Sequence, residues 1–126
     1  MSKTIVNTTS APAPIGPYNQ AVRSGNLLFI SGQVAINPIT GIVEATDVAG
    51  ETTQVMKNLH AILVEAGMDF NNVVKTTIFL TDMNDFAVVN EIYGANFSSN
   101  CPARETVAVK GLPKNVRVEI SMIASA

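Results

Sequence analysis

Charge is scarce in the first third of this chain, and the scarcity limits what the segment can form. Positions 4–43 contain one Lys, Arg, Asp or Glu, which is Arg23. Eight prolines and glycines divide the segment into short pieces. None of them approaches the roughly 20 continuous apolar residues that a membrane-spanning helix needs. We therefore expect no membrane span and predict an N-terminal strand or hairpin.

The composition of the whole chain points to self-association. Its 126 residues have the length of one domain, and we treat residues 1–126 as a single domain. Charged residues make up 14 % and apolar residues 47 % of the chain, whereas about 25 % of a typical soluble domain is charged. A monomer with so few charges would struggle to cover its surface, so we predict a homo-oligomer. Residues 1–6 lack the features of a secretory signal or transit peptide, so we expect a cytoplasmic protein.

Cysteine and histidine counts limit the chemistry of any site. Cys101 is the only cysteine and His60 the only histidine. One cysteine makes no internal disulfide, and one histidine builds no multi-histidine metal site. We therefore expect neither a metal nor another cofactor.

Strand and helix signals alternate along the chain. Asp47 is a candidate N-cap for the longest helix, and Gly67 stands just past its end. The predicted elements are a strand at 27–31, a helix at 47–65, a strand at 73–81, a helix from 84 or 85 to about 97, and strands at 102–109 and 116–123. This order favours an α+β fold, in which a mixed, mainly antiparallel sheet carries both helices on one face. The other face would be apolar and uncovered, which makes it the natural oligomer interface.

Arg104 and Glu119 are the most informative charges in the chain. Each lies in one of the last two predicted strands, among mainly apolar residues. Gly111, Pro113 and Asn115 predict a loop that joins these strands as an antiparallel pair and brings the two charges together. A guanidinium that grips a carboxylate, held near a carboxylate that handles a water, outlines an acid-processing site. The alternative is a cross-strand salt bridge without function.

Eight short motifs resemble one known family in their order and spacing. They are Ile15-Gly16-Pro17-Tyr18, Ser31-Gly32-Gln33, Val74-Lys75-Thr76-Thr77, Asp82-Met83-Asn84-Asp85-Phe86, Asn90-Glu91, Pro102-Ala103-Arg104, Leu112-Pro113-Lys114 and Val118-Glu119-Ile120. From about position 10 to 124 the chain resembles the Rid family, the RidA-type (YjgF-like) imine deaminases also known as endoribonuclease L-PSP.

The resemblance implies both a fold and an activity. The fold is chorismate-mutase-like (ferredoxin-like), and it forms a homotrimer with three clefts between adjacent subunits. The implied activity is that of a 2-iminobutanoate/2-iminopropanoate deaminase. Such enzymes hydrolyse enamines and imines released by pyridoxal-phosphate-dependent dehydratases to 2-keto acids and ammonia, and they need no cofactor. The partners implied are therefore small 2-imino and 2-enamino acids.

The resemblance also assigns roles to residues. Arg104 would hold the substrate carboxylate, and Glu119 would orient or deprotonate the attacking water. Tyr18, Ser31 and Asn90 match positions that line the cleft. At Thr106 many bacterial members carry a cysteine, and the family contact at this substrate-binding position is made largely through the backbone.

Two other functions stay open at this point. One is an endoribonuclease or translation inhibitor, but a net charge of −2 and a pI of about 5.2 supply no broad phosphate-binding surface. The other is a non-catalytic module that binds a small acid and regulates a partner. The sequence also leaves open whether Arg117 pairs with a neighbouring acid or instead neutralises Glu119 and weakens it as a base.

Overall fold

The fold is a six-stranded sheet with two helices packed on one of its faces. The computed structural model describes residues 3–126. The elements are β1 Thr4–Val6, β2 Ala21–Ser24, β3 Leu27–Gln33, α1 Val48–Glu65, β4 Val73–Leu80, α2 Phe86–Gly94, β5 Ala103–Ala108 and β6 Val118–Ser125. The strand order across the sheet is β1-β2-β3-β6-β4-β5. The predicted α+β fold is confirmed, and the N-terminal hairpin is seen as β2 and β3, with β1 added at the edge.

Helix α1 has the ends that its sequence predicts. The side chain of Asp47 accepts a hydrogen bond from the backbone N–H of Gly50 at 2.8 Å, which satisfies one of the free donors at the helix start. Gly67 follows the helix at φ +75°, a conformation that glycine adopts without steric cost. The face of α1 that includes Val55, Leu59 and Leu63 is fully buried against the sheet.

Helix α2 is shorter than predicted. A short 3₁₀ turn, Met83–Asp85, comes before it, and the helix ends at Gly94 instead of near Phe97. Val89 and Tyr93 are its buried residues. The hydroxyl of Tyr93 donates to Oγ1 of the buried Thr76 at 2.9 Å, which ties the helix to β4.

The predicted hairpin between the last two strands is wrong. Strand β5 pairs in parallel with β4, and β6 lies on the other side of β4, between β4 and β3. Parallel neighbours need a crossover connection, which α2 provides between β4 and β5. The loop at residues 109–117 therefore leads from the edge of the sheet to its centre. Local turn residues predicted the loop correctly but not the partner of the strand that follows it.

The two faces of the sheet differ in what covers them. On the helix face, Ile78, Ile120 and Met122 are buried in the main core together with side chains of α1 and α2. On the opposite face no helix or strand of residues 3–126 packs over the sheet, and Phe29 and Val107 are 43 % and 42 % exposed. This bare face matches the surface expected to mediate self-association, and the homotrimer stays a prediction. Within residues 3–126, neither α1 nor α2 has the length and apolar character of a membrane-spanning helix.

Replacing a core residue of α1 tests this arrangement. Leu59→Ala removes a fully buried side chain and is expected to lower the free energy of unfolding by about 2–5 kcal/mol. Val64→Ala is the matched control on the same helix, because Val64 is 55 % exposed; its effect should stay within about 0.5 kcal/mol. Urea unfolding at one fixed chain concentration measures both values. Equal losses from the two substitutions would contradict the assigned helix face.

Candidate functional site

The predicted site residues form two separate groups in the folded chain. Tyr18, Ser31 and Glu119 line one pocket, together with Gly32 and Gln33. Arg104 lies in a second group at the edge of the sheet. The members of this edge group are Asn90, Arg104 and Thr106.

The pocket is a mainly apolar cavity with a carboxylate in its wall. Its volume is about 390 Å³. It lies where the end of β3 and the start of β6 meet two irregular segments, around residues 12–18 and 34–36. The lining residues are Pro12, Ala13, Ile15, Tyr18, Gln20, Ser31, Gly32, Gln33, Val34, Ile36, Pro113 and Glu119.

A β-bulge in β3 makes room for this carboxylate. Ile30 pairs with Met122 and Gln33 pairs with Ile120, so β3 uses one more residue than β6 over this stretch. Gly32 lies in the bulge, and a Cβ at this position would lie only 2.5 Å from Oε2 of Glu119. The carboxylate thus occupies the space that any other residue at position 32 would fill.

Glu119 is a partly desolvated carboxylate with no partner in the described chain. Its carboxylate makes no hydrogen bond or ion pair with any other residue of 3–126. Burial raises the pKa of Glu119 above that of an ordinary glutamate, because desolvation penalises the charged form. A carboxyl group with a raised pKa is suited to taking and returning a proton in a reaction.

The hydroxyl groups of the pocket are held by the backbone. Oγ of Ser31 donates to the carbonyl oxygen of Asn19 at 2.6 Å, which leaves its lone pairs free to accept. The hydroxyl oxygen of Tyr18 accepts the N–H of Ile15 at 3.3 Å, so its own proton is available to a ligand. Both side chains are oriented by residues 15–19, which border the pocket.

Gln20 and Gln33 are pocket residues whose contribution the sequence did not reveal. Gln20 is almost fully buried, and its amide group donates to the carbonyl oxygens of Thr8, Ala11 and Pro12 at 2.9–3.2 Å. It therefore anchors the segment that forms one wall of the pocket. In the sequence, Gln33 belongs to the motif Ser31-Gly32-Gln33, whereas the signal for Gln20 is that it is a polar residue within a stretch almost devoid of charge.

The side chain of Arg104 packs against one side of α2. Its guanidinium carbon is 5.2 Å from the ring centre of Tyr93 and 5.7 Å from that of Phe86, in the range of cation–π contacts. Nη1 donates to Oδ1 of Asn90 at 2.8 Å. A guanidinium has five N–H donors, so this contact orients the group and leaves donors free for an anion.

Thr106 lies two residues further along the same face of β5. Its Oγ1 is buried and has no hydrogen-bond partner within residues 3–126. Buried hydroxyl groups nearly always have hydrogen-bond partners, so we expect Oγ1 of Thr106 to bind a group that is not part of residues 3–126. Glu105 points to the opposite face, as simple alternation predicts, and contacts Lys75 and Thr77 there.

Arg104 and Glu119 cannot act together within one chain. Arg104 of β5 pairs with Thr76 of β4, and the side chain of Thr76 is on the helix face. Glu119 of β6 pairs with Phe79 of β4, and the side chain of Phe79 is on the bare face. Along β4 these positions are three residues apart, roughly 10 Å, and two strand spacings add roughly 10 Å across the sheet. The prediction that a turn brings the two charges together in one chain is therefore wrong, because β4 lies between their strands. The alternative prediction, a cross-strand salt bridge between Arg104 and Glu119, is wrong for the same reason.

Comparison with known proteins identifies the family. The profile described as "Endoribonuclease L-PSP" matches residues 8–126. The chain belongs to this family, the Rid family. A mouse protein named 2-iminobutanoate/2-iminopropanoate deaminase is 52 % identical over 120 residues, which are 95 % of this chain and 89 % of the mouse protein. A RutC family protein of Pyrococcus horikoshii is 49 % identical and covers 97 % of both chains.

Solved structures of Rid proteins have the same fold. RidA from a Psychrobacter species superposes with a TM-score of 0.95 at 42 % identity, over 98 % of this chain and 99 % of its own. The structure of Escherichia coli TdcF with bound serine gives a TM-score of 0.92 at 40 % identity, over 98 % of both chains. The family resemblance inferred from eight short motifs is therefore confirmed.

The pKa of Glu119 predicts a pH-dependent stability difference. The folded chain binds this proton more readily than the unfolded chain, so the contribution of Glu119 to stability falls as pH rises from the ordinary glutamate value through the raised one. Glu119→Gln removes the charge and should be more stable than wild type near neutral pH. The difference should shrink to near zero below the ordinary glutamate value of about 4.3.

Urea midpoints measured from acid to neutral pH test this prediction. Glu91→Gln is the matched control, because it removes an exposed carboxylate from α2. A difference between Glu119→Gln and wild type that did not change with pH would contradict the assigned desolvation.

Proposed function

We propose that this Rid family member hydrolyses 2-imino and 2-enamino acids to 2-keto acids and ammonia, as a 2-iminobutanoate/2-iminopropanoate deaminase without a cofactor. Mouse, human and rat relatives at 48–52 % identity carry this name, which supports an enzymatic role. The observation that carries the proposal is the unpaired carboxylate of Glu119, held over Gly32 in a mainly apolar pocket with a raised pKa.

The complete site forms between subunits of a homotrimer under this proposal. The pocket and the edge group lie on different sides of one chain, so one subunit supplies Glu119 and its neighbour supplies Arg104. Three observations support this assembly: the uncovered apolar face of the sheet, the incomplete binding site in each group, and the unpaired Oγ1 of Thr106. The carboxyl-bearing ligand named for TdcF, serine, is of the size and charge that Arg104 can hold.

Arg104 binds the substrate carboxylate and fixes the adjacent C=N carbon. Glu119 takes a proton from a water, the water oxygen bonds to that carbon, and the π electrons of C=N move to nitrogen. Glu119 then returns the proton to nitrogen, which gives a carbinolamine with one hydroxyl and one amino group. Glu119 next takes the hydroxyl proton and passes it to the amino nitrogen, the C–N electron pair leaves with ammonia, and the oxygen forms the keto group. The products are a 2-keto acid and ammonia. An enamine enters this route after it tautomerises to the imine.

The environment of Glu119 suits both proton transfers. A carboxylate with a raised pKa is a stronger base than an ordinary one and returns the proton without a second acid. Tyr18 and Ser31 bind the water or the departing nitrogen from the pocket side. Asn90 orients Arg104, and Thr106 contributes its backbone and its free hydroxyl to the carboxylate side of the cleft. Such a deaminase would act in the cytoplasm and remove intermediates that damage pyridoxal-phosphate enzymes.

The second candidate function is binding of a small acid without turnover. The neighbour with bound serine favours it, because serine has no imine to hydrolyse. The two functions differ in their need for Glu119. A carboxylate near an anionic ligand weakens binding, so a binding module has no use for it, whereas the deaminase needs it for proton transfer. Ribonuclease activity, which the family name suggests, has less support because the net charge is −2.

A coupled assay tests the proposed reaction. A serine or threonine dehydratase generates the imine, and keto-acid release is followed with and without this protein. Arg104→Ala should lower kcat/KM about 10- to 100-fold, the value of one charge-assisted contact. Glu119→Gln should return the rate to that of spontaneous hydrolysis. Arg23→Lys is the control, because Arg23 contacts the carbonyl oxygen of Ala66, away from both groups.

The variants also separate the two candidate functions. A folded wild-type protein that gives no acceleration would overturn the deaminase assignment. Binding of a 2-keto acid that persists in Glu119→Gln and disappears in Arg104→Ala would then assign the pocket to the binding module.

Mixed trimers test whether the site is shared between subunits. Arg104→Ala chains, which alone keep at most about a tenth of the wild-type kcat/KM, and Glu119→Gln chains, which alone do not exceed spontaneous hydrolysis, are refolded together in equal amounts. A shared site is intact when one subunit supplies Arg104 and the next supplies Glu119, which random mixing achieves in about one quarter of the sites. Activity should therefore recover to about one quarter of wild type. No recovery in mixed trimers of confirmed composition would argue against a site between subunits.

A further inference from the structure

Glu51 is a buried carboxylate outside the pocket that uses both of its oxygens on one residue. It lies in the first turn of α1 and is 1 % exposed. Oε1 accepts the backbone N–H of Arg117 at 2.8 Å, and Oε2 accepts Nη1 of Arg117 at 2.5 Å. The structure thus answers the question that the sequence left open, because Arg117 pairs with Glu51 and not with Glu119.

The side chain of Arg117 does not follow the alternation of side chains between the two faces of the sheet. It directly precedes β6 and is two residues before Glu119, so regular alternation would direct both side chains to the bare face of the sheet. The guanidinium instead lies against the start of α1, on the helix side. Only about half of the Arg117 side chain is covered, so the ion pair with Glu51 is what defines its direction.

We propose that Glu51 is a positioning residue that holds the guanidinium of Arg117 on the helix side of the sheet and thereby keeps its positive charge away from Glu119. The inference rests on the proposed function, in which Glu119 transfers protons. Cα atoms two residues apart in a strand are separated by roughly 6.5 Å. A released arginine side chain therefore has the length to place its guanidinium beside the Glu119 carboxylate.

No other ionisable group near Glu119 takes over the role of Glu51 in keeping the guanidinium of Arg117 away. Tyr18 lines the same pocket, and Lys114, which follows Pro113 in the loop at the pocket border, is exposed and makes no contribution to the pKa of Glu119. On the bare face, Lys75 lies four residues along β4 from the partner of Glu119 and is paired with Glu105. From α1 the only charged group that reaches the start of β6 is Glu51 itself.

Release of Arg117 has a defined consequence. A cation within about 4–6 Å of a carboxylate favours the ionised form and lowers its pKa. Glu119 would then become a weaker base and a poorer donor to the departing nitrogen. In wild type, burial raises the pKa of Glu119 and no cation contributes to the shift. The Glu51–Arg117 pair therefore preserves an environment that the proposed reaction uses.

Carboxyl-carbon NMR of Glu119 tests the inference without any assay of activity. Glu51→Gln keeps an oxygen for the backbone N–H of Arg117 but loses the charge that holds the guanidinium. The titration midpoint of Glu119 should move to lower pH by about one unit. Glu51→Gln combined with Arg117→Met should restore the wild-type midpoint, because no guanidinium remains to approach. Glu65→Gln, which removes an exposed charge from the same helix, should leave the midpoint unchanged.

A pH profile of kcat/KM provides the second readout. The acid limb of Glu51→Gln should move to lower pH with the NMR midpoint, and the double variant should return it. Thermal unfolding shows whether Glu51→Gln is folded; if it is not, Glu51→Asp, which keeps the charge but shortens the reach, should shift the midpoint in the same direction. An unchanged midpoint in a folded Glu51 variant overturns the positioning role, even if activity falls. A shifted midpoint in a protein without deaminase activity would support the positioning role and reject the proposed function.

Discussion

The pairing of β6 between β3 and β4 is the interaction on which the rest of the structure depends. Its alternating side chains supply both sides of the sheet: Val118, Ile120 and Met122 enter the core beneath the helices, and Glu119 faces the other way. A slip of one residue would exchange these two sets. The free energy gained by burying the apolar set therefore also fixes the position of the carboxylate. The bulge at Gly32 in the neighbouring strand then provides the space that this carboxylate occupies.

Buried polar side chains connect this core to the irregular segments around the pocket. Gln20 holds residues 8–12 through their carbonyl groups. Asn58 of α1 donates to the carbonyl oxygens of Val34 and Ile36, which line the pocket. Glu51, one turn from the start of the same helix, holds Arg117 at the beginning of β6. A buried polar group left unpaired costs about 1–3 kcal/mol, so each of these contacts links the shape of the pocket to the stability of the fold.

The separation of the site residues into two groups suggests a functional role for the bare face of the sheet. An enzyme that needs an anion-binding guanidinium and a proton-transferring carboxylate on opposite sides of one sheet requires a second copy to bring them together. Under the proposed function, association would complete the site and cover apolar surface in the same step. The scarcity of charge and the separation of Arg104 from Glu119 would thus have one common explanation. This reasoning also accounts for the unpaired hydroxyl of Thr106, which would find its partner in the ligand or in the neighbouring subunit.

The sequence by itself determined the α+β class, the long helix, the family and most of the residues that form the two groups. These features depend on local signals: the cap at Asp47, the alternation that directs Glu119 and Glu105, and short motifs of distinct composition. Strand order was decided only by the tertiary structure. Gly111, Pro113 and Asn115 show that the chain turns, but the loop does not determine which strand β6 pairs with. The partner of Arg117 likewise followed from packing, because Glu51 is 66 residues away. Pairings between distant segments depend on how all elements share one core, and that property belongs to the fold as a whole.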